Sequence, residues 1–551
     1  MLVGRTIEAM SRGVRLYVAL VLLVVGLVVW WVMSQAAEKR LNPNKRDWES
    51  FVARQVAEQT APSSYPLRRK LDFTPFEAAL NRLEAETLER LQTLTQQATI
   101  AELQALMQAG QLTSEELTLF YLWRIRRYND QLRAYLEVNP EALEEARARD
   151  QERQQGQVRG LLHGIPISLK DNISTRGPLH TTAGAAVLSQ HIADQDAFIV
   201  QRLRAAGAVV LGKNNLSEWA NFMTSQSVNG YSTLGGHTRN PYGPFDVGGS
   251  SSGTAVAVAA NLAVAGIGTE TSGSLVYPAA QNSLFTLKPT LGLVSRDRII
   301  PITAAQDTAG PMTKKAPDLA VLMSVLTGYD PGDPQTQMAR GFTFPTVSPS
   351  PPAALRVGWV QHIQRRGDQE ALEQVAQALQ NLGAVVVPVP FPESSIEMMP
   401  VLHAGMRRDL AHYLKTTGAA IEGLQDVIEY NRQHPEAMRY GQNLLEVSLS
   451  HPLSDAEYQA LVQKNRQQGR ERLLELMQAH RVDVLLAISN SLSLLTSTSG
   501  FPVVNFPAGY RESGEPVGAS LVGPALQDPL LIGLAQAVVE RLGIHRPPIL
   551  R

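Results

Sequence analysis

The chain contains no cysteine among its 551 residues, which excludes disulfides, thiolate metal ligands and a cysteine nucleophile. That absence suits an oxidising compartment without demanding one. An excess of either charge is also missing: 50 lysines and arginines stand against 51 aspartates and glutamates, so no basic field attracts nucleic acid. No internal repeat is visible, and His163, His180 and His237 lack the spacing of a metal site.

What is present is a run of small residues from Gly248 to Met312 holding two glycine-framed loops. The first reads Gly248-Gly249-Ser250-Ser251-Ser252-Gly253, the second Gly268-Thr269-Glu270-Thr271-Ser272-Gly273-Ser274, with apolar Ala255 to Ile267 between them. Such loops let backbone N–H groups converge on a developing oxyanion, so they argue for a serine nucleophile. A serine hydroxyl needs a base. Neither loop has a histidine, and the better candidate is Lys170 in Gly164-Ile165-Pro166-Ile167-Ser168-Leu169-Lys170-Asp171-Asn172. Alternation there puts Ile165, Ile167 and Leu169 on one strand face and Ser168 and Lys170 on the other. Burial of that lysine would lower its pKa toward the range of a neutral base.

Each feature has an ordinary competitor. Serine and glycine clusters are most often turns, and a lone lysine is most often solvated. Gly249 to Gly253 also fits the G-x-S-x-G nucleophile elbow with Ser251 at its centre, but turn-rich Pro241 to Gly249 is no strand to precede an elbow. No lysine has a serine three residues before it, which removes the S-x-x-K arrangement. Lys213 and Lys288 are rival bases. Glu270 and Asp307 read as acceptors that fix loops, with Asp171 and Asn172 in similar supporting places.

These segments, followed by Lys288-Pro289-Thr290-Leu291-Gly292-Leu293-Val294-Ser295, resemble the amidase signature family from about Thr99 to Leu542. The tail Gly500-Phe501-Pro502-Val503-Val504-Asn505-Phe506-Pro507-Ala508-Gly509 belongs to the same likeness. The resemblance implies that Ser274 is the nucleophile, Ser250 a bridging serine and Lys170 the ultimate base. It implies an oxyanion hole from the N–H groups of Thr271, Ser272, Gly273 and Ser274, and a cis Gly249-Ser250 peptide. The chain departs from the commoner pattern at Ser252, Ser272, Glu270 and Val276. Several departures, with Ala305-Gln306-Asp307-Thr308-Ala309-Gly310-Pro311-Met312, resemble the bacterial peptide amidase subgroup, whose members remove the carboxy-terminal amide of peptides. Val276 stands where many members carry arginine, so the preferences of arginine-bearing relatives do not transfer.

The implied architecture is α/β: a large mostly parallel or mixed sheet covered by helices on both faces, preceded by a transmembrane helix. The expected division is 1–35 as membrane anchor or signal peptide, 36–95 as a helical, proline-containing linker, and 96–551 as the catalytic domain. Leu16 to Met33 are eighteen residues without a charge, about 27 Å of helix against a core of about 30 Å, with Trp30-Trp31 at one end. An uncleaved anchor is expected. The alternative is a signal peptide, since Arg5, Arg12 and Arg15 precede the run and Ser34-Gln35-Ala36 resembles a cleavage site. Basic residues flank the run on both sides, so charge bias sets no orientation, and either kind of segment usually leaves the catalytic domain outside the cytoplasm, which is the expectation here. Thr99 with Glu102, and Thr113 with Glu116, predict capping boxes. Pro331 to Pro352 is expected to leave the core, and the helix-rich part from Ile396 to His480 to line a pocket. The implied partner is a small-molecule or peptide amide, with no metal, cofactor or nucleic acid. Lipid-amide hydrolysis and a catalytically silent scaffold are the alternatives.

Overall fold

A computed structural model describes residues 45–550, other than Pro62, Pro351, Ile363, Gln364 and Arg366. The expected anchor at Leu16 to Met33 lies outside them. Among the described residues no helix is long and apolar enough to cross a membrane.

The strands are β1 (Tyr135–Val138), β2 (Pro166–Lys170), β3 (Val209–Asn214), β4 (Tyr231–Ser232), β5 (Gly236–His237), β6 (Ala265–Glu270) and β7 (Phe285–Lys288). They continue with β8 (Thr308–Thr313), β9 (Arg356–Gln361), β10 (Val385–Pro390), β11 (Val484–Ile488), β12 (Val503–Tyr510) and β13 (Pro516–Val522). Eleven form one sheet in the order β1-β3-β2-β6-β8-β7-β12-β13-β11-β9-β10, and β4 pairs with β5 apart from it. The sheet is mixed: β2 runs parallel to both β3 and β6, and β9 parallel to β10 and β11, while the remaining neighbours are antiparallel.

Every residue of β2, β3, β6, β7, β8, β11 and β13 is buried, so helices and loops close both faces of the central sheet. Helix Ser252–Ala259 is also buried along its whole length. Its sequence, Ser-Gly-Thr-Ala-Val-Ala-Val-Ala, is small enough to pack closely on β2, β6 and β8. A Cβ at Gly253 would sit 2.4 Å from the Asn215 carbonyl and 2.5 Å from that of Ala134, so only glycine fits.

Both capping boxes form, at Thr99 with Glu102 and Thr113 with Glu116. Leu117, Tyr121 and Ile125, on one side of the second helix, are core, and Tyr128 packs partly buried against that core. Within the stretch Pro331 to Pro352, the part as far as Phe344 does not leave the core as expected: Asp333 pairs with Arg296, Thr336 is buried, and Phe344 packs into the main apolar cluster. Arg68 and Arg69, in the stretch expected to be a linker, are tied to the residues that follow it. They pair with Asp130 and Glu137.

Candidate active site

Because β2 and β6 are parallel neighbours, Lys170 at the end of one and the loop after the other emerge at the same carboxyl edge of the sheet. Lys170 is fully buried. Its Nζ donates to Ser250 Oγ at 2.8 Å, to Thr269 Oγ1 at 2.8 Å and to the Thr269 carbonyl at 3.3 Å. Asn172 Nδ2 donates to the same Thr269 hydroxyl at 3.0 Å. Burial pushes the amine from 10.5 down to about 7, against the negative charges of Asp307 and Glu270, which favour the ammonium form.

The Gly249-Ser250 peptide is cis, and the Ser250 carbonyl accepts from Ser217 N–H at 3.0 Å. Ser251 braces the two loops. Its N–H donates to the Ser274 carbonyl at 3.2 Å, while its hydroxyl donates to the Thr269 carbonyl at 2.9 Å and accepts from Thr269 N–H at 3.2 Å. With its hydroxyl committed in this way, and with no strand leading into it, Ser251 is not the nucleophile of an elbow.

The second loop turns at Gly273, whose φ of +86° favours glycine. Glu270 accepts from the N–H groups of Leu275 and Val276 at 2.7 and 3.1 Å, which fixes the start of helix Val276–Gln281. Among the described residues, the N–H groups of Thr271, Ser272, Gly273 and Ser274 reach no protein acceptor, no hydrogen bond reaches the Ser274 hydroxyl, and no bond joins the two serine hydroxyls directly. Ser274 is 8% exposed, whereas Ser250 and Lys170 are fully buried.

Asp307 supports the same loop. It accepts from Thr271 Oγ1 at 2.6 Å and from the N–H groups of Ile302 and Thr303 at 2.8 and 3.0 Å. Burial raises its carboxyl to about 6 even so. A cavity of about 230 Å³ adjoins Asn172, Thr269, Glu270, Thr271 and Asp307. Its far wall is Asp409, His412, Tyr413 and Thr416, so one helix of the expected pocket-lining region, Met398–Thr416, contributes. Lys170, Ser250 and Ser274 do not line it.

The rival groups are occupied elsewhere. Lys213 donates to the Ile173 carbonyl at 2.5 Å and Thr181 Oγ1 at 2.9 Å, and Lys288 to the Pro289 carbonyl at 3.2 Å. Asp171 accepts from Thr182 and Gly184. His163 meets the Arg149 carbonyl, His180 meets Glu137, and His237 lies between Tyr65 and Tyr440. Among the described residues no cluster of His, Asp or Glu could hold a metal. Thr269 went unnoticed in the sequence, although it shares both Lys170 and Asn172. Its only signal is its place just before Glu270.

Residues 116–492 match the Amidase family. The chain belongs to that family. It is 35% identical over 477 residues to the Arabidopsis thaliana protein called "Probable amidase At4g34880", covering 82% of this chain and 91% of the relative. The crystal structure of an amidase family protein from Bacillus anthracis superposes with a TM-score of 0.83 at 34% identity, covering 87% of this chain and 97% of that one. The solved peptide amidase of Stenotrophomonas maltophilia superposes with a TM-score of 0.79 at 41% identity, covering 82% and 98%. The amidase family thus accounts for the sheet and both loops, and the chain is an amide hydrolase.

Proposed function

We propose that this amidase is a serine hydrolase that cleaves carboxamides, with carboxy-terminal peptide amides as its substrate class, through Ser274, Ser250 and Lys170. The observation that carries the reading is a fully buried lysine, its amine pushed down to about 7, 2.8 Å from the hydroxyl of Ser250. A neutral Lys170 accepts the Ser250 proton while Ser250 accepts that of Ser274. Ser274 Oγ bonds to the amide carbon, the N–H groups of Thr271 to Ser274 hold the oxyanion, and the C–N bond breaks as the proton returns to the departing nitrogen. Water then splits the acyl-enzyme by the reverse relay.

The likeness to peptide amidase supports the substrate class. The uncharged run Leu16 to Met33 supports a single-pass tether, and a tether of the signal-anchor type would leave the catalytic domain outside the cytoplasm. That tether also favours a second reading, hydrolysis of lipid amides met at the bilayer. Labelling with a fluorophosphonate probe tests the mechanism: wild type should react and Ser274→Ala, still folded, should not. Equal labelling of both proteins removes Ser274 from the reaction.

A further inference from the structure

Helix Lys45–Thr60 lies upstream of the segment that matches the family, yet it reaches the scaffold of both serine loops. Two glutamines one turn apart, Gln55 and Gln59, are buried on its inner face. Gln55 Oε1 accepts from Asn229 N–H at 2.6 Å. Gln59 Nε2 donates to the Asn229 carbonyl and to Asp246 Oδ1, each at 3.1 Å, and Gln59 Oε1 accepts from Val247 N–H at 3.2 Å.

Asp246 is the hub of this arrangement. It is fully buried and accepts from Asn229 Nδ2 at 3.2 Å, from Gly248 N–H at 3.0 Å and from the Tyr277 hydroxyl at 2.5 Å. Gly248 opens the loop that carries Ser250. Tyr277 is the second residue of the helix beyond Ser274, and its N–H donates to the Gly273 carbonyl at 2.8 Å. A buried carboxylate held by neutral donors depends on every one it has, and Gln59 brings one of them from outside the family core.

We infer that helix Lys45–Thr60 is a positioning element of the active site, in which Gln59, through Asp246, sets the placement of the Ser250 and Ser274 loops. Neither residue touches the reacting atoms. The inference rests on the amidase reading above. It also gives the stretch between the proposed tether and the catalytic core a part in turnover.

The test uses the full chain with Gln59→Met and Gln59→Glu, measuring kcat and KM on an amidated dipeptide, fluorophosphonate labelling rate and melting temperature from pH 5.5 to 9. Gln59→Met keeps the volume and loses the donor, so kcat should fall about tenfold with KM within about twofold. Gln59→Glu keeps the acceptor for Val247. Protonated, it still donates to Asp246, and ionised, it repels it, so its rate relative to wild type should fall as pH rises. Taking that ratio at each pH cancels the titration of Lys170, which both proteins share. Other charges nearby, among the described residues, include Glu58 on the same helix, bonded by Tyr440, Arg239, which shares a cavity wall with Gln59, and the Arg365–Glu515 pair felt by Tyr277.

If Gln59→Met does not fold, the slope of the Gln59→Glu ratio decides alone. A flat ratio with kcat within twofold of wild type, whatever the melting temperature, overturns the inference and leaves the helix a purely structural role. A wild type that neither labels nor hydrolyses amides defeats instead the amidase mechanism beneath it.

Discussion

Thr271 and Asp307 are joined by a 2.6 Å hydrogen bond from hydroxyl to carboxylate, so one buried acid both holds the second serine loop and acts on the charge of Lys170. Its negative charge favours the ammonium form. In Asp307→Asn that pull is gone, and the lysine should lose its proton at lower pH. The acid limb of the labelling rate should therefore move down, along with a smaller maximal rate from the loosened loop. An acid limb that stays in place or moves up sinks the coupling.

Lys170 itself fixes the direction of the wild-type profile. As the proposed base the amine works only when neutral, so the rate should rise with pH through about 7 and level off above it. Lys170→Met should lower kcat/KM by about 10²–10⁴-fold. A variant that retains full rate would show that the proton goes elsewhere.

The same titration bears on stability. Folding lowers the lysine pKa from 10.5 to about 7, so below 7 the charge is buried at full cost, and the cost lifts as pH rises from 7 toward 10.5. The stability gained by Lys170→Met over wild type should be largest near pH 6 to 7 and shrink toward pH 10 in urea titrations. A gap that widens with pH reverses the assigned sign.

Gly273 adopts φ of +86°, and a Cβ there would come within 2.8 Å of Asn490 Nδ2. Gly273→Ala should strain the loop by about 1–2 kcal/mol and displace its N–H groups. We expect kcat to fall at least tenfold with the fold intact by circular dichroism. An unchanged kcat would place the oxyanion elsewhere.

Comparing turnover of an amidated dipeptide with that of a long-chain fatty amide separates the two substrate readings. The peptide amide should be preferred. Preference for the fatty amide transfers the assignment to lipid amides.

Much of this was legible in the chain because the serine loops and the Lys170 strand carry their chemistry within a few residues each. The capping boxes at Thr99 and Thr113 were equally local. The features that escaped are bonds across long stretches of sequence. Thr269 meets Lys170 only because β2 and β6 pair, and Gln59 reaches Asp246 across 187 positions. Nothing in the proline spacing of Pro331 to Pro352 announces that Asp333 will be tied to Arg296. Periodicity reports which face of an element is apolar, and it is silent on which distant segment will cover that face.

The sealing of Lys170 behind Ser250 and Thr269 has a practical side. Amine-directed reagents should modify Lys70, Lys415 and Lys464, which stand in solvent, and leave the active-site nitrogen untouched. The protein can therefore be attached to a support through its surface amines and keep its turnover.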